Sequence, residues 1–326
     1  MNRSLPGLRE IEQAASTIAG VASKTPLVES PVLSRRAGRE VYLKLECFQP
    51  IRVFKIRGAY NKISRLKEER VVAASSGNHG IAVSYSSHLL GKRATVVVPE
   101  TAVKEKVGTI LDYGAEVVKA GRLSGEREAK AREIAEATGS AFVHPFDDPE
   151  IIAGQGTCGL EIADQLDEFD SVLVPVGGGG LISGISIAIK ALRPKVRVFG
   201  VEPVGAPKLY AALKAKQVTA VPSPSSIADG LLPSALGELT YRACSLNVEG
   251  SFTVSEAEIF EATRAMANDE RIIAEPSGAA ALAPLLSRVN GLGKRVVVVI
   301  SGGNISHDLL VKVLTSQNSQ APSQGR

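Results

Sequence analysis

The feature that most narrows the fold is an alternation. Short apolar, β-branched runs end in turns of small residues and give way to stretches of helical pattern. Val71-Val72-Ala73-Ala74 leads into Ser-Ser-Gly-Asn-His-Gly and the helical stretch Ile81–Leu90. Ala94–Val98 ends at Pro99, and Glu116-Val117-Val118 precedes the helical Arg127–Thr138. Ser171–Val176 runs into four glycines, and Val196–Val201 and Arg295–Ile300 complete the set. Strands this apolar, alternating with helices, read as βαβ units and a parallel sheet buried on both faces, which makes the fold class α/β. Ser255 with Glu258 forms a capping box ahead of a helix that runs to about Asp269. No internal repeat and no Pro/Gly-rich linker divides the chain, so its 326 residues read as two interwoven lobes rather than sequential ones. Residues 315–326, rich in Ser, Gln and Pro, read as a disordered tail.

Composition excludes several functions. A net charge of +4, with no basic run interleaved with aromatics, gives no ground for nucleic-acid binding. No apolar run approaches the length of a membrane span, and the N-terminus lacks the apolar core of a signal peptide. Cys47, Cys158 and Cys244 are odd in number and far apart, so a disulfide framework or zinc site is not expected and a reducing, cytoplasmic setting is. The four histidines show no metal-ligand spacing.

Four short segments carry chemistry. In Phe54-Lys55-Ile56-Arg57-Gly58-Ala59 a lysine stands between apolar neighbours. Desolvation there lowers its pKa and makes it a carbonyl nucleophile, although a solvated surface lysine is the plainer reading of the hexapeptide alone. In Ser75-Ser76-Gly77-Asn78-His79-Gly80 small residues expose N–H groups at a helix start, a carboxylate or phosphate site or simply a capping turn. His79 reads equally as a packed, satisfied histidine. Gly177-Gly178-Gly179-Gly180-Leu181 follows a buried strand and opens a helix, so its backbone can wrap a phosphate. Gly178-x-Gly180-x-x-Ser183, with Glu202 ending the next strand, also nearly fits a dinucleotide fingerprint, and leaves a dinucleotide-dependent oxidoreductase open. Ser301-Gly302-Gly303-Asn304 ends the last strand and, alone, is only a strand-to-helix turn.

Taken in order, the four segments resemble the fold type II pyridoxal 5′-phosphate (PLP) enzymes, within the serine/threonine dehydratase and serine racemase family. The resemblance spans about Thr25 to Leu314, with further agreement at Pro145-Phe146-Asp147-Asp148, Ala153-Gly154-Gln155-Gly156-Thr157 and Ile227-Ala228-Asp229-Gly230. It implies a two-lobed, tryptophan synthase β-like fold with parallel sheets flanked by helices. The large PLP-binding lobe is 1–66 and 146–314 and the small lobe 67–145, and the enzyme is a homodimer. It implies that Lys55 holds PLP as a Schiff base and later moves the Cα proton, and that Phe54 packs on the ring. Asn78 meets the 3′-oxygen, Gly177, Gly178, Gly179, Gly180 and Leu181 cradle the phosphate, and Ser301 meets the pyridine nitrogen. Ser75, Ser76, Gly77 and His79 line the substrate carboxylate site, and Ser76 matches the second base of serine racemases. The implied reaction is β-elimination on a small hydroxy amino acid, L-threonine or L-serine, to a 2-oxo acid and ammonia. Serine racemisation and dehydration of 3-hydroxyaspartate are the alternatives.

The chain departs from the family pattern in two places. Ile51-Arg52-Val53 stands where Thr-Gly-Ser is usual, which either dries the pocket around Lys55 or brings Arg52 near the substrate; a surface arginine is the plainer reading. The carboxylates of the divalent metal seen in relatives would fall at Glu202 and at Lys208, a cation where an anion is expected. The expectation is no metal, with Lys208 neutralising Glu202. Nor is a regulatory domain expected after Asn304, and with it no feedback by isoleucine.

Overall fold

The computed structural model describes residues 4–75, 77–121 and 124–316. Among the described residues ten strands form two sheets. They are β1 (Leu27–Glu29), β2 (Glu40–Leu45), β3 (Arg70–Ala74), β4 (Arg93–Val98), β5 (Glu116–Lys119), β6 (Ala141–Phe142), β7 (Ser171–Pro175), β8 (Arg197–Pro203), β9 (Gly250–Val254) and β10 (Arg295–Ile300). Six strands, ordered β1-β2-β10-β7-β8-β9, make the larger sheet, and β5-β4-β3-β6 the smaller. Every pairing is parallel except β1 with β2. The larger sheet therefore draws on both ends of the chain, while the smaller uses only residues between Arg70 and Phe142.

The apolar runs become strands because both faces of each sheet are covered. Along β10, Val296, Val298 and Ile300 enter a core with Leu43, Ile259 and Leu282, whereas Val297 and Val299 enter another with Ile182, Ile185 and Ile189. In the smaller sheet Val71 and Ala73 pack with Ile81 and Ile110, and Val72 turns to Val97 and Ala131 on the other face. The expected capping box is present, with Ser255 Oγ accepting from Glu258 N and the Glu258 carboxylate from Ser255 N. It opens the helix Glu256–Asn268.

Some expectations need correcting. The sequence reading passed over β1, β2, β6 and β9. β2 interrupts its apolar residues with Glu40 and Lys44, yet Lys44 is fully buried and its ammonium is held by Thr25 O, Gln165 Oε1 and Glu161 Oε2. Of the expected tail, Thr315 closes the helix His307–Thr315, so the tail does not begin there, and residues 317–326 lie outside the described residues. The three cysteines are buried and unbridged. Among the described residues no helix is long and apolar enough to cross a membrane.

Candidate active site

Ligands in open parallel sheets bind beyond the carboxyl ends of the strands. The ends of β3, β7 and β10 here meet at one cavity of about 460 Å³. Its wall includes Phe54, Lys55, Ser75, Asn78, His79, Gly177, Gly178, Gly179, Gly180, Leu181 and Ser301. A larger groove of about 890 Å³ lies elsewhere, beside Arg36, Glu261, Arg264 and Asp269. Those side chains are ion-paired to one another, and none of the four segments reaches it.

Lys55 is the first residue of the helix Lys55–Ile63. Two residues on, the fully buried Arg57 anchors that turn with a bidentate pair to Glu46 (2.7 and 2.8 Å) and a bond to Glu161 at 2.6 Å. Glycines let a second helix close on it: a Cβ on Gly58 would stand 2.5 Å from Gln155 Nε2, and one on Gly154 2.6 Å from Arg57 O. The motif is thus an anchor for the lysine. Lys55 Nζ donates to Pro145 O at 2.8 Å and lies 5.2 Å from the Phe54 ring. Burial pushes its pKa down to about 8.

The glycine run follows β7 and starts the helix Gly180–Leu192. Gly179 has φ +93°, which favours glycine. A Cβ on Gly178 would lie 2.1 Å from the Phe146 ring, and one on Gly177 2.8 Å from Gly230 O, so larger residues do not fit. Gly180 and Leu181, in the first turn of this helix, lie on the cavity wall, and first-turn N–H groups, which lack intrahelical partners, suit an anion there.

The Ser75–Gly80 turn proves to be both a cap and a wall. Ser75 Oγ accepts from Gly77 N (3.0 Å) and Gly80 N (2.8 Å) at the start of the helix Asn78–Leu89. Gly77 is off the cavity wall and packs against the Lys106 side chain. His79 Nε2 bonds Val143 O at 3.0 Å, and burial, with Lys55 nearby, pushes its pKa down to about 3. Its imidazole is therefore neutral, with its hydrogen already used by the carbonyl. Ser76 lies outside the described residues.

Sequence reasoning missed an ionic network behind Asn78. Asn78 Nδ2 donates to Glu275 Oε1 at 2.5 Å, and Asn304 Nδ2 donates to Asn78 Oδ1 at 2.9 Å. These two bonds fix the amide orientation and leave one N–H of Asn78 to face the cavity. Lys106, from the helix Lys104–Asp112, reaches Asp229 at 2.6 Å and Glu275 at 3.4 Å. Burial raises the Glu275 pKa, with Lys106 opposing. The wall also holds Arg127, Glu128, His144, Phe146 and Asp147. A charged residue before Pro276-Ser277-Gly278 was the only sequence signal for Glu275.

Arg52 is exposed and off the wall, as the plainer reading had it. Its neighbours Ile51 and Val53 are buried with Ile56, which dries the approach to Lys55.

Comparisons with known proteins identify the family. The family profile described as "Pyridoxal-phosphate dependent enzyme" matches residues 18–302. The L-threonine ammonia-lyase of Thermotoga maritima is 41% identical over 94% of this chain and 78% of its own. The L-threo-3-hydroxyaspartate ammonia-lyase of Saccharomyces cerevisiae is 36% identical over 92% and 94%. Maize serine racemase superposes with a TM-score of 0.91 at 33% identity, over 95% of this chain and 97% of the other.

Proposed function

The chain belongs to the pyridoxal-phosphate dependent enzymes of fold type II, and from that premise we propose that it catalyses β-elimination on a small hydroxy amino acid, L-threonine or L-serine. The observation that carries the reading is convergence. A buried amine of lowered pKa, a helix N-terminus lined by glycine and a neutral serine hydroxyl face one cavity.

The residues fit the cofactor. Lys55 would bind its aldehyde, Gly177–Gly180 and Leu181 its phosphate, Asn78 its 3′-oxygen, Phe54 its ring face and Ser301 its ring nitrogen. When bound, PLP withdraws electrons from the Cα of an attached amino acid. The remaining work belongs to the chain. Lys55, its amine freed once the substrate has taken its place on the aldehyde, would take the Cα proton. A Ser301 hydroxyl does not hold a proton on the ring nitrogen as a carboxylate does, so prompt loss of the β-hydroxyl is favoured; it would leave as water, taking up the proton that Lys55 removed from Cα, and water would then convert the enamine to 2-oxo acid and ammonia. Ser75, His79 and Ser76 are assigned to the substrate carboxylate. His79 contributes through its main-chain N–H, because its ring hydrogen is taken by Val143 O. At about 460 Å³ the cavity sits in the lower half of the usual ligand range of roughly 300–1,000 Å³, and it must hold cofactor and substrate together. That limits the substrate to a small amino acid.

Arg127 on the wall favours 3-hydroxyaspartate as a second reading, since a guanidinium pairs with a second carboxylate. The same premise carries a homodimer in the cytoplasm, with lobes divided near 66/67 and 145/146. The test is production of 2-oxo acid and ammonia from L-serine, L-threonine and 3-hydroxyaspartate, with chiral analysis of residual serine. Turnover of threonine and serine supports the first reading. Preference for hydroxyaspartate that Arg127→Met abolishes supports the second, and D-serine accumulating faster than 2-oxo acid points to racemisation. No 2-oxo acid from any of them, and no borohydride-trapped mass on Lys55, refutes the proposal.

A further inference from the structure

The divalent cation implied by the resemblance would lie between Glu202 and residue 208, and the residues there do not fit one. Glu202 and Lys208 are both fully buried. Glu202 sits at the N-terminus of the helix Lys208–Ala215, and its carboxylate is already engaged. Oε1 accepts from Leu209 N at 2.7 Å, and Oε2 from Tyr210 N and Ser251 Oγ, each at 2.9 Å. A hard divalent ion seeks about six to eight oxygens and would have to compete with these donors. The nitrogen of Lys208 already stands among the oxygens left over. It lies 2.9 Å from Ala206 O, 3.0 Å from Leu231 O and 3.4 Å from Glu202 Oε1.

Among the described residues, three acceptors bond that nitrogen. Burial lowers the Lys208 pKa and Glu202 opposes that shift, but the geometry favours the charged form: an ammonium offers three N–H groups to the three acceptors, whereas a neutral amine would turn its lone pair on an oxygen. We propose that Lys208 is a covalently tethered cation that takes the place of a divalent metal and pins a wall of the catalytic cavity.

The tether has an evident load. Leu231 ends the 3₁₀ turn Asp229–Leu231, which supplies three residues to the cavity wall. In the same turn Gly230 N donates to Ser277 Oγ at 2.8 Å, and Gly230 O crowds Gly177, the first glycine of the run. A cation that holds Leu231 O therefore holds the turn against the loop assigned to the phosphate. An exchangeable metal stabilises by an amount that grows with the logarithm of its concentration through mass action, but a tethered cation does not depend on concentration. Lys208→Asp would leave Glu202, the new carboxylate and two carbonyls as four oxygen ligands, with water to complete the shell.

The test uses holoenzyme of the wild type, Lys208→Met and Lys208→Asp, each measured in chelator and then in millimolar Mg²⁺ or Ca²⁺. Melting temperature and the rate of PLP release are read. The wild type is expected to ignore both chelator and cation. Lys208→Met, which leaves Glu202 without its cation, is expected to melt roughly 5 °C or more lower, release PLP faster and gain nothing from cation. Lys208→Asp is expected to match it in chelator and to recover most of the loss with cation. The proposal is overturned if cation stabilises the wild type as much as Lys208→Asp, or if Lys208→Met melts and retains PLP like the wild type. Should Lys208→Asp not fold, the indifference of the wild type together with faster PLP release from Lys208→Met supports the proposal, and failure of either overturns it.

Discussion

Apo-protein should capture PLP on Lys55 at neutral pH far faster than a free lysine does, and with a different pH profile. Burial lowers the Lys55 pKa from 10.5 to about 8. At pH 7 about one amine in ten is then neutral, against about one in three thousand at the ordinary value, a gain of roughly 300-fold. Nucleophilicity falls with basicity, and if it does so as steeply as for thiols, roughly 20-fold of that gain survives. The discount is an upper bound, because desolvation destabilises the ammonium rather than impoverishing the lone pair. The assay mixes apo-protein with PLP, quenches with borohydride at intervals and counts the Lys55 adduct by peptide mass. N-acetyl-lysine run alongside cancels the titrations of PLP itself, and Lys55→Ala supplies the background. The rate ratio at pH 7 should fall between about 20 and 300. The protein's rate should climb tenfold per pH unit and flatten near pH 8, while the small amine keeps climbing toward 10.5. Phe54→Ala, by admitting water, should move the inflection upward. A ratio near one, with no flattening below pH 10, would refute desolvation as the source of Lys55 reactivity.

Two other predictions concern stability. Gly184→Ala would place a Cβ 2.4 Å from both Gly156 N and Ile152 O, where two helices meet backbone to backbone, and is expected to lower stability by roughly 1–3 kcal/mol or more, seen as a lower denaturant midpoint. Lys106→Met removes the cation beside buried Glu275 and is expected to cost roughly 3 kcal/mol near neutral pH. Its pH dependence has a definite sign. Glu275 already binds its proton more tightly when folded, and the substitution strengthens that preference. The variant should therefore be nearest to wild type below pH 4.5 and lose ground as pH rises above it. Equal losses across that range, measured by urea melts at several pH values, would place Glu275 outside this account.

Much of the molecule is legible in the chain because parallel sheets bury both faces. The runs at Val71, Ala94, Ser171 and Arg295 carry that burial in their composition, and the alternate valines of β10 merely divide between two cores. The glycine run and the lysine hexapeptide are legible for a related reason: local backbone demands, positive φ at Gly179 and close approach at Gly58, select residue types that show in sequence. Strand β2 was not, since its Lys44 is buried only because Glu161 and Gln165, more than a hundred residues away, receive its charge.

What the sequence determined by itself, then, is the alternating architecture and the presence of an amine, a phosphate-binding turn and a neutral strand-end serine. Only the tertiary structure decided which distant polar and charged groups meet. Asn78 meets Glu275 across 197 positions, Lys106 meets Asp229 across 123, and Lys208 meets the carbonyl of Leu231. Periodicity reports how each residue faces its own element. A buried ion pair depends instead on two elements being brought within a few ångströms by packing elsewhere, and nothing local in either segment records that.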